Sequence, residues 1–508
     1  CTSAGTRFCG LIGDGCGGTL ECGTCTDNAV CGGAGIANVC AGGDNCSPVG
    51  CQADGGALYC GVIGDGCGGI SECGACPDGV ACNGGVCAGT GDACNGLQCQ
   101  VDQCAPGVET TLTGTVFAPN GTLPLYGALV YVPNAALDPI SDGAECSPCS
   151  AGSASGQPIA TALTDTTGRF ELSGVPTGTN IPLVIQVGKW RRQITIPNVG
   201  SCATNPTDPT LTRLPRTRAE GNIPRIAITT GDADALECLI RRLGVAESEF
   251  TTNAGAGRIH LYTGGDPEED SDDSGQGATS FVNGTVFPPA TALWGDPALL
   301  RSYDLLMFSC EGGQFQDVKS PYYENIFDYA QNGGRLFLSH LHFNWLNRGP
   351  DEFQGTADYI GVGEDLPEPI SALVDTSFPR GSDLADWLVT VGASTVRGQL
   401  DLYQGQHSVG GVFPPSQQWI VVPENPNDDD NRPSVQYMTF NTPVGGLPGA
   451  AECGRVVLTD IHINSTTPLG GGDSSQPDEP FPTGCADTPF SAQALAMAYM
   501  FFDLSACV

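Results

Sequence analysis

The chain has 508 residues, with 56 acidic side chains against 20 basic ones and a net charge of −36. Such a surface is repelled by nucleic-acid phosphate and by anionic lipid, which excludes both as primary partners; it fits solubility alone, or an exterior that recruits divalent cations. The 26 cysteines and 72 glycines exclude a reducing cytosol, and the length implies about two to four domains.

Cysteine usage is uneven. Eighteen of the 26 fall before residue 105, leaving eight for the rest of the chain. Both counts are even, as pairing within each part requires. Zinc is the rival in the first part, since Cys22-x2-Cys25 and Cys73-x2-Cys76 have ligand-like spacing, but thiols crowd both pairs and the first histidine is His260. Haem attachment fails because Thr26 and Pro77 stand where histidine is needed. Disulfides are therefore expected at Cys9, Cys16, Cys22, Cys25, Cys60, Cys67, Cys73 and Cys76, and downstream at Cys238, Cys310, Cys453, Cys485 and Cys507.

Residues 1–106 form the first predicted region. Cys9-GLIGDG-Cys16-GGTLE-Cys22-GT-Cys25 returns as Cys60-GVIGDG-Cys67-GGISE-Cys73-GA-Cys76. Matching cysteine and glycine positions define tandem modules. Each has too little apolar surface for a core, so cross-links worth roughly 2–4 kcal/mol each must compensate. Cys1 aligns with Cys51, the second member of a Cys-x4-Cys pair. That register makes Cys1 interior to a longer precursor or array; a lipid anchor on Cys1 is the alternative. No run of 18 apolar residues exists, so no membrane-spanning helix is expected. The repeat resembles the Cys/Gly-rich modules of myxobacterial-type predicted surface proteins, a resemblance that implies no activity; a rigid, protease-resistant stalk is expected, with glycan or polymer contact as the alternative.

Residues 107–218 change character. Thr111–Thr122 alternates apolar and polar residues and turns at Asn120-Gly121; further short runs follow at Tyr126–Pro133, Thr161–Gly178 and Ile181–Pro197. Turns every ten residues or so predict an all-β sandwich. Through Gly114, Pro119, Gly127, Ala128, Val130, Asp165, Gly168, Phe170, Pro176 and Gly178, this stretch resembles the carboxypeptidase regulatory-like domain, a transthyretin-type sandwich that implies a non-catalytic spacer. Lys189-Trp190-Arg191-Arg192 reads as one of its strands rather than a binding patch. Cys146 and Cys149 sit in a predicted loop, and the Pro- and Thr-rich stretch from Thr204 reads as a linker.

Residues 219–508 alternate strands with helices, the pattern of a three-layer α/β domain. Its centre is a βαβ unit: strand Asp304–Phe308, a helical stretch ending on Asn332-Gly333-Gly334, and strand Leu336–Leu338. Ligands of open parallel sheets bind beyond the carboxyl ends of strands, which here carry Cys310, Glu311, Ser339, His340 and His342, with Asp460 and His462 on a later strand. Asp304-LLMFSCEGG, Asn332-GGRLFLSHLH and Cys453-GRVVLTDIHIN resemble the class I glutamine amidotransferase-like fold, particularly trehalose-utilisation-type relatives, which implies a flavodoxin-like architecture. The resemblance departs at the chemistry. The family's attacking cysteine follows its elbow strand, where this chain has Ser339 and His340, and Cys310 lies one strand earlier. Glutamine hydrolysis by the family mechanism is not expected.

Ser339, His340, His462 and Glu311 are the catalytic candidates, although Leu338-Ser339-His340 lacks a Gly-x-Ser-x-Gly elbow. His340, His342, Asp460 and His462 are the candidates for a zinc or iron site, the two nearer histidines sharing a face if their strand continues; hydrogen-bonded histidines in a vestigial pocket are the alternative. The acidic loops offer Ca²⁺ candidates at Asp266, Asp270, Asp272, Asp428 and Asp430, against the default of solvated charge. No other cofactor is indicated. The expected protein is secreted or surface-displayed and structural or adhesive: a stalk, a spacer and a catalytically degenerate head, assembling with its own copies into an array or filament, or contacting surface glycans. The opposing expectation is an extracellular hydrolase of amides, esters or glycans, using His340 and His462 with a metal or Ser339.

Overall fold

The structure, a computed structural model, describes residues 94–146, 154–268, 275–362, 366–445, 452–463 and 475–505, with short strands and scattered cysteines of 1–93. Cys1, Cys16, Cys60, Cys67, Cys76, Cys149, Cys507, Asp270 and Asp272 lie outside the described residues. The chain forms two compact units, Cys1–Asn95 and Gly96–Val508.

In the first unit the sequence repeat becomes a repeated hairpin. Leu11–Gly13 pairs antiparallel with Thr19–Glu21, and Gly61–Gly64 with Ile70–Gly74; Ile12 faces Leu20 as Ile63 faces Ser71. Equal Gly-Asp-Gly-Cys-Gly-Gly connectors set equal registers, as loop length does in any hairpin. Two-stranded hairpins are marginal alone. Covalent links compensate: Cys51 joins Cys73, and Cys9, Cys22 and Cys25 are also disulfide-bonded.

The second unit begins with two small sheets. One has three strands, with Thr111–Thr115 between Arg169–Ser173 and Thr204–Pro206; the other has four, ordered Pro158–Leu163, Leu129–Pro133, Gly178–Val187, Trp190–Val199. Alternation drives the burial: Phe170 and Leu172 point inward while Arg169, Glu171 and Ser173 face out. Asn120 Oδ1 accepts from the Thr122 and Leu123 amides at 3.0 and 3.1 Å, which makes the predicted turn. The stretch expected as a linker is packed instead. Thr204–Pro206 pairs in parallel with Thr111–Thr113, and Thr212 and Leu214 are buried; its apolar residues, though aperiodic, have a surface to cover.

Apart from Ala357–Tyr359 and Val409–Val412, which pair with each other, the remaining strands build a ten-stranded mixed sheet. Six neighbouring strands are parallel: Phe250–Thr251, Ile259–Thr263, Ile226–Thr230, Leu305–Phe308, Arg335–Ser339 and Gly454–Thr459. Ser434–Thr442, Gln417–Val422, Ile370–Val374 and Gln399–Leu402 extend it by antiparallel pairing. The predicted βαβ unit is its middle. Tyr323–Gln331 is the helix, and Gly333, at φ +92°, stops it where a side chain would be strained. Both faces of the sheet are apolar because both are covered. Met307, Phe337 and Val457 join one core with Leu239, Leu388 and Met497. Their neighbours Leu306, Phe308, Leu336 and Leu458 join another with Leu293, Ile326 and Trp345. Helices therefore lie on both sides, giving three layers.

The last helix, Ala492–Ser505, is buried on nearly every side, as a helix apolar around most of its circumference requires, and its one charge, Asp503, is paired with Arg380 and Arg455. Phe501 and Phe502 meet Trp190 of the four-stranded sheet at 6.1 and 6.3 Å between ring centroids. The same contact zone holds the Lys189–Asp304 ion pair at 2.6 Å, so this cation of the basic cluster faces the large sheet. Long-range disulfides among the described residues fasten the unit: Cys104–Cys202, Cys146–Cys453 and Cys238–Cys485, with separations of 98, 307 and 247 residues. Cys104–Cys202 crosses the boundary assumed by the even-count argument, so pairing is not confined to each part. Such long-range bridges, in a β-rich chain of several sheets, fit an extracellular protein. No helix among the described residues is long and apolar enough to cross a membrane.

Candidate functional site

Three adjacent parallel strands, Leu305–Phe308, Arg335–Ser339 and Gly454–Thr459, deliver Cys310, His340 and His462 to the carboxyl edge of the sheet. One potential ligand atom from each residue lies within 4.8 Å of the others. Cys310 Sγ is 3.5 Å from His340 Nδ1, and the two imidazoles face edge-on at 5.2 Å. Cys310 is a free cysteine, which corrects its expected place in a disulfide. A bridge needs a second cysteine with its Cα within about 7 Å, whereas Cys310 points between two imidazoles and Cys238, Cys453 and Cys485 are paired elsewhere.

Local geometry explains the convergence. Gly231, just past Ile226–Thr230, lets the exit of that neighbouring strand pass close to Cys310: a Cβ there would stand 2.2 Å from the Cys310 carbonyl oxygen. The strand carrying His340 does not continue. It ends at Ser339, and His340–Phe343 is a 3-10 turn entered with His340 at φ +39°, a left-handed backbone uncommon for histidine and retained where surrounding structure enforces it. His340 and His342 therefore do not share a face. His342 Nε2 lies 2.8 Å from the Ser309 carbonyl, and its Nδ1 accepts from Trp345 Nε1 at 3.0 Å, so both ring nitrogens are engaged away from the trio.

The other expected members also have separate partners. Asp460 Oδ2 accepts from the Ser408 amide at 2.7 Å. Ser339 Oγ donates to Asp234 Oδ2 at 2.8 Å, leaving His462 without the hydroxyl it would activate. Glu311 pairs with the buried Lys319 at 2.6 Å and accepts from the Gly265 amide at 2.9 Å. Of the calcium candidates, Asp428 is taken up by Arg432 at 2.8 Å and caps the Asp430 amide at 2.9 Å, while Asp266 Oδ1 accepts from the Glu268 amide. Asp234 and Lys319 had no signal in the sequence; each reads as an ordinary surface charge beside a short helix.

Electrostatics make the trio unsuited to nucleophilic attack as it stands. Burial first, then Asp234 and Glu311, push the Cys310 thiol up to about 12, although the Leu341 and Gly312 amides pull the other way. Burial, joined by the neighbouring His462, holds His340 well below the ordinary histidine range, and burial alone lowers His462 to about 4. Both imidazoles are thus neutral near pH 7 and the thiol keeps its proton. An open groove lined by Arg241, Arg242, Glu247 and Phe490 includes none of the trio.

No family model matches the chain and no curated protein matches it. Two solved structures are similar over part of their length, both interface mutants of a type II cohesin–X-dockerin complex from Acetivibrio cellulolyticus. The N-terminal interface mutant shares 16% identity over 27% of this chain and 85% of that one, with a TM-score of 0.16. The C-terminal interface mutant shares 16% identity over 29% of this chain and 78% of that one, with a TM-score of 0.14. Likenesses of this size carry no argument about fold or partners.

Proposed function

We propose that this chain is a structural protein of an extracellular surface or assembly, with a head that performs no hydrolysis. The burial of every candidate nucleophile carries this reading: Cys310 and Ser339 have no exposed surface, and His340 and His462 are 6% and 8% exposed. Catalysis by attack needs an ionisable group within reach of substrate. Here the thiol stays protonated and the hydroxyl is turned to Asp234. In this reading residues 1–106 are a disulfide-stapled stalk, 107–218 a carboxypeptidase regulatory-like spacer and 219–508 a degenerate amidotransferase-like head with a flavodoxin-like core. The left-handed His340 at the end of a central parallel strand supports the last assignment, because an elbow would fall there. Further copies of the chain, or surface glycans, are the partners.

The hydrolase reading makes the opposite forecast. Native protein incubated with a panel of amide, ester and glycoside substrates is expected to give no turnover distinguishable from its His462→Ala and Ser339→Ala variants. Turnover by the native protein that disappears in either folded variant would sink the structural proposal.

A further inference from the structure

We infer that Cys310, His340 and His462 together hold one transition-metal ion of the zinc or copper class. The inference is independent of the structural role proposed above, since a bound ion at this edge is compatible with a head that turns nothing over.

Distances come first. Metal–sulfur and metal–nitrogen bonds of about 2.3 and 2.1 Å at a tetrahedral angle put the two ligand atoms roughly 3.5 Å apart. The separation of Cys310 Sγ and His340 Nδ1 is 3.5 Å. An S–H···N hydrogen bond accounts for that spacing equally well, so the third residue discriminates. His462 is 8% exposed, and its Nε2 is buried without a hydrogen-bond partner among the described residues. A buried polar atom left unpaired costs about 1–3 kcal/mol, and such an atom in a native fold calls for an absent ligand, water or ion. With the three ligand atoms mutually within 4.8 Å, one ion in their midst would satisfy His462 and the other two together.

Chemistry selects the class of ion. One thiolate and two imidazoles favour borderline-soft metals over Ca²⁺ or Mg²⁺, which take oxygen ligands. On binding, the sulfur–metal bond forms as the Cys310 proton leaves to solvent, with no change of oxidation state. The Leu341 and Gly312 amides that favour a charged sulfur are already in place, and the nearby carboxylates of Asp234 and Glu311, which oppose a bare thiolate, favour a cation. Metal ligation also explains how a free thiol persists in a unit whose Cys104, Cys202, Cys146, Cys453, Cys238 and Cys485 are oxidised.

The test uses the full chain, stripped with a chelator under non-reducing conditions and titrated separately with Zn²⁺, Cu⁺ and Co²⁺. Wild-type protein is expected to take up roughly one equivalent of zinc or copper, and to show a thiolate-to-cobalt charge-transfer band that zinc or copper displaces. Preference for zinc or for copper decides which ion the site selects. Cys310→Ser is expected to abolish the band, and His462→Ala to weaken binding by about 100-fold, the upper end of what losing even a partner of the ligands costs. The cobalt band is read on wild-type protein, so a variant that fails to fold does not remove the test. Absence of the band, or metal uptake unaffected by Cys310→Ser in folded protein, would overturn the assignment.

Discussion

Replacing the bridge between Cys146 and Cys453 in the Cys146→Ser/Cys453→Ser double variant is expected to lower the stability of the 96–508 unit by about 4–5 kcal/mol. The two cysteines lie 307 residues apart, but the loop they close is shortened by Cys238–Cys485. Through that second bridge the path is roughly 125 residues, and the loop-entropy relation assigns such a closure a little under 5 kcal/mol at 25 °C. Cys146 lies in the loop after the first strands of the unit, and Cys453 lies beside the start of a central strand of the large sheet. The bridge therefore removes, from the unfolded chain, freedom that no short-range contact restricts. Urea unfolding under non-reducing conditions measures it. A midpoint within error of wild type would mean that packing alone holds the two regions together.

The second large effect comes from a buried charge. Lys319 Nζ lies 2.6 Å from Glu311 Oε2, with side-chain exposures of 1% and 0%, and also donates to the Gln314 carbonyl at 2.9 Å. Substituting Lys319→Met removes the cation and leaves Glu311 as an uncompensated charge, which costs about 3–5 kcal/mol. Adding Glu311→Gln keeps an acceptor for the Gly265 amide while removing the charge, so the double variant is expected to regain at least half of the loss. A double-mutant cycle reads the coupling directly. A cost below about 1 kcal/mol for the single substitution would show that Glu311 finds another partner or sheds its charge.

Much of the framework was legible because it is periodic. The hairpin repeat, the alternation at Arg169–Ser173 and the central βαβ unit are each written in local patterns of period two or in glycine stops. The carboxyl edge that gathers Cys310, His340 and His462 followed from strand polarity alone. Three things were hidden. Gln399–Leu402 is the edge strand and Ile370–Val374 its neighbour, each with exposed residues at alternate positions, and both too short to stand out. The turn at His340 depends on one backbone angle, and that angle sends His342 away from the site the spacing suggested. The state of Cys310 was hidden because composition speaks for cysteines as a population; only the positions of the neighbouring side chains say which one is spared.

The central claim is that the head keeps a buried, reduced thiol between two imidazoles while long-range disulfides clamp the rest of its unit. Differential alkylation followed by non-reducing peptide mapping tests it most directly. The expected result is Cys310 unmodified in native protein, modified after denaturation without reductant, and peptides linking Cys104 to Cys202, Cys146 to Cys453 and Cys238 to Cys485. Rapid modification of Cys310 in the native protein, or its recovery in a disulfide, would contradict the account.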